Sequence, residues 1–197
     1  KYLVRKMKSI LGKIPVEVHC HDDFGMATAC TIAAAEAGAE FLSTTMNGLG
    51  ERAGNAPTEE VLVALKFLYE VDLNVRLEKL NETSRLVEEL SGVRLQQHKA
   101  VVGRHAFAHE AGTVVAGVFK NTFVAEAYKP EAVGQKREVL IGKKSGAQSL
   151  AKKLEESGLS LSKDGLRELT GKVKDFAIVH KRALTDEELL DLAKEVR

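Results

Sequence analysis

Apolar and polar positions change period along this chain, and the changes mark its elements. Residues through Lys13 read as a helix. Pro15-Val16-Glu17-Val18 then alternates with the period of a strand. Phe41-Leu42-Ser43-Thr44-Thr45-Met46 reads as a second strand. Between the two, Ala27 to Ala37 is Ala-rich and predicts a helix, with Gly38 at its C-terminal cap. Pro57 opens a further helix whose apolar face carries Val61, Leu62, Ala64, Leu65 and Leu68. The order strand, helix, strand, helix predicts an α/β fold.

Downstream the period is mostly helical. Val71 to Lys79 reads as an extended linker. Asn81 is placed to cap a helix that runs through Leu90 and stops at Gly92. Gln97 to Asn121 reads as mixed loop and helix. Ser145 is placed to cap a helix carrying Leu150 and Leu154 and ending at Gly158. Leu166, Leu169, Val173 and Phe176 mark another amphipathic helix. Thr185-Asp186-Glu187-Glu188 is a capping box ahead of Leu189, Leu190 and Ala193. The Lys and Glu runs between these positions are solvated helix faces, and no internal repeat or low-complexity tract interrupts them.

The polar residues that carry chemistry cluster just after the two strands. The first cluster is His19-Cys20-His21-Asp22-Asp23-Phe24-Gly25. Residues i and i+2 of a strand share a face, so His19 and His21 project together while Val16, Val18 and Cys20 pack on the other side. Two adjacent imidazoles can chelate a divalent metal. The plainer reading makes one a core histidine and the other a loop donor. The second cluster is Asn47-Gly48-Leu49-Gly50-Glu51-Arg52-Ala53-Gly54-Asn55. Both lie at the carboxyl ends of strands, where α/β barrels and doubly wound sheets place their sites. Gly48 and Gly50 either approach a cofactor closely or simply permit a tight turn. Glu51 and Arg52 either meet substrate or form an ion pair that locks the loop. Asn55 either reaches the metal or satisfies N–H groups at a helix start.

Composition narrows the partners. Twenty-nine basic residues against 28 acidic ones leave a net charge of +1, which argues against nucleic acid or membrane as the main partner. No apolar run spans a bilayer and no signal peptide is visible, so a cytoplasmic protein is expected. Cys20 and Cys30 read as reduced packing residues. There is no Walker motif.

The two clusters together resemble the last two strand–loop units of the isopropylmalate synthase and homocitrate synthase family. The resemblance extends less tightly through Ala106-Phe107-Ala108-His109-Glu110, Pro130-Glu131-Ala132-Val133-Gly134 and Ile141-Gly142-Lys143-Lys144-Ser145-Gly146. It implies a metal-dependent (β/α)8 barrel that condenses acetyl-CoA with a 2-oxo acid and hydrolyses the thioester. His19 and His21 would bind the divalent metal (Zn, Mg or Mn), with Asn55 as ligand or near-ligand. A helical appendage would cross to a partner subunit, implying a homodimer.

The same comparison exposes departures. Family members commonly read Glu-Ser-Gly-Ile-His where this chain reads Glu110-Ala111-Gly112-Thr113-Val114. A Tyr usually follows about where Ala125 stands, with Tyr128 nearby but out of register. The usual Gly-Lys-His-Ser-Gly is Gly142-Lys143-Lys144-Ser145-Gly146. Valine cannot move a proton and alanine cannot donate a hydrogen bond. His105 and His109 are the nearest substitutes.

The expected architecture is therefore the terminal part of a (β/α)8 barrel over 1–70, followed by helical linker and accessory subdomains over 71–197. The amino-terminal barrel half, including an Asp ligand near the barrel's start, is expected outside this chain. Alone, the chain is expected to expose unpaired strand edges and to associate. Candidate metal ligands are His19, His21 and Asn55. Candidate catalytic residues are His109 and Glu51, and candidate cofactor-binding residues are Gly48, Gly50 and Arg52. The expected substrates are acetyl-CoA and a 2-oxo acid. The alternatives are a citramalate or Re-type citrate synthase relative, or a non-catalytic binding or regulatory paralogue.

Overall fold

The computed structural model describes residues 1–196. They form a mixed α/β chain of two compact units, 1–106 with 131–135 and 107–130 with 136–196. No described helix is long and apolar enough to cross a membrane.

In the first unit, α1 (Tyr2–Leu11) ends at Gly12, whose positive φ of 65° turns the chain out of the helix. Then come β1 (Glu17–His19), α2 (Ala27–Ala35) and β2 (Phe41–Ser43). The strands pair in parallel, with Val18 opposite Leu42 and His19 opposite Ser43, so the segment is a βαβ unit. The Ala-rich helix stops at Ala35, two residues short of the expected end. Gly38 still makes the reversal, at φ 99°. The second strand is also shorter than predicted. After Ser43 the Thr45 hydroxyl donates to Leu49 O at 2.6 Å, and Asn47 takes φ 61°, which folds Met46–Gly48 into a 3-10 turn.

Pro57 precedes α3 (Thr58–Leu68) as predicted. Its apolar face is narrower than the sequence implied. Val61 and Val63 are buried, but Leu68 is 76% exposed. Ala27, Ile32, Ala56 and Val61 form the core of this layer, with Cys20, Leu42, Ala64 and Leu65 against it. Cys20 therefore packs inward, opposite its two neighbouring histidines. Val71–Arg76 is irregular and Leu77–Lys79 is a 3-10 turn leading into α4 (Leu80–Ser91), which Gly92 ends at φ 70°. Asn81 does not cap α4: it lies inside the helix, and its amide donates to Gly134 O at 3.2 Å.

The second unit begins with β3 (Ala108–His109) and α5 (Gly112–Lys120), then β4 (Glu138–Val139) parallel to β3. Three helices follow: α6 (Ala147–Glu156), α7 (Lys163–His180) and α8 (Asp186–Lys194). Leu150, Leu154, Leu169, Val173 and Leu189 lock them together, and all are essentially inaccessible. Full burial of each such side chain contributes roughly 1.5–3 kcal/mol. Ser145 does not cap α6. Its Oγ accepts from Gly142 N–H at 2.9 Å and donates to Leu140 O at 3.2 Å, closing the loop ahead of the helix.

The capping box of α8 is formed as the sequence implied. Glu188 accepts from Thr185 N–H at 2.8 Å and from both terminal nitrogens of Arg182 at 2.6 and 2.7 Å. These partners, Arg182 foremost, hold the Glu188 carboxyl at about 2 against its ordinary 4.5. A depressed folded-state pKa gives stability that is complete above the unfolded value and lost as pH falls toward the folded one. The stability difference between wild type and Glu188→Gln should therefore shrink as pH drops from about 5 toward about 2. Thermal melts across that range test it, and a constant difference would count against the pairing.

Candidate functional site

The site is built on the ends of β1 and β2. Beyond them the segment 54–57 is bonded to the stretches that follow both strands. Ala56 N–H donates to Cys20 O at 3.1 Å, Thr45 N–H to Ala56 O at 3.1 Å, and Asp22 N–H to Gly54 O at 2.9 Å. This sets His21 opposite Asn55 in an antiparallel bridge. The His19 and His21 rings lie edge to face, 4.9 Å between centroids. The three candidate ligands are thus brought together, two from the strand end and one from the glycine-rich turn.

Their hydrogen bonding is incomplete in an informative way. His21 Nδ1 and Asn55 Oδ1 are buried and have no hydrogen-bond partner among the described residues. Leaving buried polar atoms unpaired is costly, and such atoms need an explanation. The rest of each group is fixed. His19 Nδ1 sits 3.2 Å from Ser43 Oγ, which leaves its Nε2 free of that contact. Asn55 Nδ2 donates to Leu49 O at 3.1 Å, so its carbonyl oxygen is the atom left over. The proposed capping role of Asn55 is not realised, because α3 has no side-chain cap.

Two imidazole nitrogens and an amide oxygen form a donor set that suits a borderline divalent cation. Among the described residues no third His, Cys, Asp or Glu completes a cluster with them. The residues present fit part of a metal's coordination shell.

The glycine-rich turn is packed rather than open. A Cβ on Gly50 would lie 2.4 Å from Asn55 Nδ2, and one on Gly54 would lie 2.1 Å from Gly48 O. These glycines let the backbone close around the Asn55 amide. Glu51 is exposed and makes no ion pair with Arg52. Arg52 instead forks onto Asp23, at 2.9 and 3.0 Å, tying the two sequence clusters to each other. Arg52 holds the Asp23 carboxyl below the usual range.

Several contributors had no role that the sequence assigned. Asp22 Oδ1 accepts from Ala27 N–H at 2.7 Å and starts α2. Glu59 is fully buried, and burial pushes its carboxyl up, opposed by Asn47 N–H and Lys99. Ser84 of α4 bonds to Asn47. Asp22 stood in the first polar cluster with no role assigned to it, and Glu59 and Ser84 looked like ordinary helix-surface residues in the pattern.

His109 lies in the second unit, on β3. Its Nε2 is 3.1 Å from Glu126 Oε1, and Arg137 grips the same carboxylate through two bonds of 2.6 Å. Glu126 is buried and held ionised, by Arg137 first and then His109. An ionised carboxylate only accepts, so Nε2 carries the proton in this contact. Glu110, beside it, accepts from Lys144 N–H at 2.8 Å, joining two of the motifs singled out above. Val114 stands on α5, and Ala125 follows the 3-10 turn Thr122–Val124.

Fold and site together define an α/β protein that presents two imidazoles and an amide beyond the ends of parallel strands. Residues 1–87 match the family model described as HMGL-like, and residues 101–181 match the one described as homocitrate synthase post-HMGL domain-like. The chain belongs to the isopropylmalate synthase and homocitrate synthase family. It is 48% identical over 175 residues to a 2-isopropylmalate synthase of Sulfurisphaera tokodaii, covering 89% of this chain and 45% of that protein. It is 47% identical to an (R)-citramalate synthase of Methanocaldococcus jannaschii, covering 93% and 37%, and 46% identical to homocitrate synthase 1 of a Nostoc species, covering 93% and 49%. The chain spans between 33% and 50% of the length of these and similar relatives.

Proposed function

We propose that this chain supplies the metal-binding part of a synthase that condenses acetyl-CoA with a 2-oxo acid, with its βαβ unit forming the terminal portion of a (β/α)8 barrel. The observation that carries the reading is a pair of unpartnered buried atoms, His21 Nδ1 and Asn55 Oδ1, on two residues that face each other across a backbone bridge, with the His19 ring 4.9 Å from that of His21. His19, His21 and Asn55 would hold the divalent ion. When bound, such an ion supplies Lewis-acid polarisation of a keto oxygen.

The chain's own residues prepare that chemistry. Ser43 orients the His19 ring, as outer-shell partners do at metal-binding histidines. Gly48 and Gly50 bring backbone close to the Asn55 amide. The Asp23–Arg52 fork fixes the rim of the site. In the second unit, Glu126 holds His109 in one orientation, leaving Nδ1 as its proton-exchanging atom, in the way a carboxylate orients the imidazole of a catalytic triad. Relatives named for three different products match at 46–48% identity, so the choice of 2-oxo acid rests on experiment.

A free-thiol release assay with acetyl-CoA, a divalent metal and a panel of 2-oxo acids tests the activity. The expected result is metal-dependent thiol release selective for one 2-oxo acid. Thiol release independent of both metal and 2-oxo acid would refute the condensation reading. The rival reading, a binding or regulatory paralogue, draws support from the apolar Val114 and Ala125, which stand where the family resemblance implies His and Tyr. Binding of a 2-oxo acid without thiol release would favour it.

A further inference from the structure

Asn55 owes its orientation to a turn, and that turn is held from two sides by side chains outside the metal-binding motifs. The direct link is the donation from Asn55 Nδ2 to Leu49 O, reinforced by Asn55 N–H to Gly48 O at 3.0 Å. Leu49 O and Gly48 therefore have to stay in place for the Asn55 side chain to keep its orientation, with Oδ1 as the unpaired atom. Asn47 heads this turn in the left-handed conformation, φ 61°.

Three hydrogen bonds fix Asn47. Its N–H donates to Glu59 Oε2 at 3.0 Å. Its Nδ2 donates to Ser84 O at 2.9 Å, and its Oδ1 accepts from Ser84 Oγ at 2.6 Å. Glu59 and Ser84 are both 0% exposed. Glu59 is further tied to Lys99, whose Nζ lies 3.9 Å from Oε1 and also pairs with Glu60. A helix-surface glutamate has no need of burial. Its carboxylate is buried here because it meets the amide of a left-handed residue that has no helical partner for that N–H.

We infer that Asn47 is a positioning residue for Asn55, clamped by Glu59 of α3 and Ser84 of α4, so that these helices set the metal affinity of the strand-end site. This rests on the metal reading of His19, His21 and Asn55. Losing an outer-shell partner at a metal site typically costs about 10- to 100-fold in affinity.

The test is a Co2+ titration followed by calorimetry and by the visible absorption of the bound ion. Asn47→Gly keeps the left-handed turn available while cutting both bonds to Ser84. Glu59→Leu removes the acceptor for Asn47 N–H, whereas Glu59→Gln retains one. The expected result is weaker Co2+ binding in Asn47→Gly and Glu59→Leu, by about 10-fold or more, with Glu59→Gln close to wild type. In an Asn55→Ala background the same changes should add no further loss, because their effect passes through Asn55. Thermal melts identify any variant that fails to fold, and the variants that do fold carry the test. Unchanged affinity in the folded variants, or an undiminished loss in the Asn55→Ala background, would overturn the inference. Wild type that binds no Co2+ would instead overturn the metal reading, and the inference with it.

Discussion

Replacing His19 and His21 together by alanine should abolish stoichiometric binding of a divalent ion. The two rings come within 4.9 Å of each other and His21 faces Asn55 across a backbone bridge, so the histidines supply two of the three donors in the cluster. An amide oxygen alone is a poor ligand for a transition-metal ion, which prefers imidazole or thiolate. The loss should therefore exceed the about 10- to 100-fold that removal of an outer-shell partner costs. Calorimetry with Zn2+ or Mn2+ and metal analysis of the purified protein check it. Unchanged metal content in the double variant would remove the site assignment. The variant should keep its fold. His19 is exposed, and the core beneath the strand is made by Cys20, Ala27, Ile32, Ala56 and Val61 on the opposite face.

That opposite-face arrangement was legible in the sequence, and the reason is geometric. A period of two forces alternation, so placing Cys20 inside also placed both histidines together. The helices were equally legible wherever a full apolar stripe or a capping box existed, as at Leu150–Leu154 and Thr185–Glu188. What stayed hidden were long-range polar bonds. Asn81 and Ser145 have the chemistry of caps, and only the fold reveals that Gly134 and Gly142 claim their side chains instead. Glu51 and Arg52 are adjacent and opposite in charge, yet Arg52 reaches 29 residues back to Asp23. Glu59 is the clearest case. Two glutamates in the first turn of a helix look solvated and dipole-stabilising. Burial of the first is decided by Asn47, 12 residues earlier.

The remaining large effect concerns Val114 and Ala125. If the intact protein performs the condensation by the family's usual route, it lacks a His and a Tyr that the resemblance places at these positions. Loss of one general acid–base group typically costs about 100- to 10,000-fold in rate. Thiol release by the wild type should therefore be slow, and the Val114→His, Ala125→Tyr double variant should raise it by about that factor. The substitutions have room: Val114 is 37% exposed on α5, and Ala125 is exposed after the adjoining 3-10 turn. Metal binding should be unchanged, because neither position belongs to the strand-end cluster. Wild-type turnover already in the ordinary enzyme range of about 1–1,000 per second, and indifferent to the double change, would mean that another group moves the proton. His109 is then the residue to remove. It sits five positions before Val114 and is already oriented by Glu126, which Arg137 keeps ionised. His109→Ala should in that case lower turnover with little change in substrate affinity, whereas Glu126→Gln should lower it less, by loosening the ring while leaving the imidazole in place.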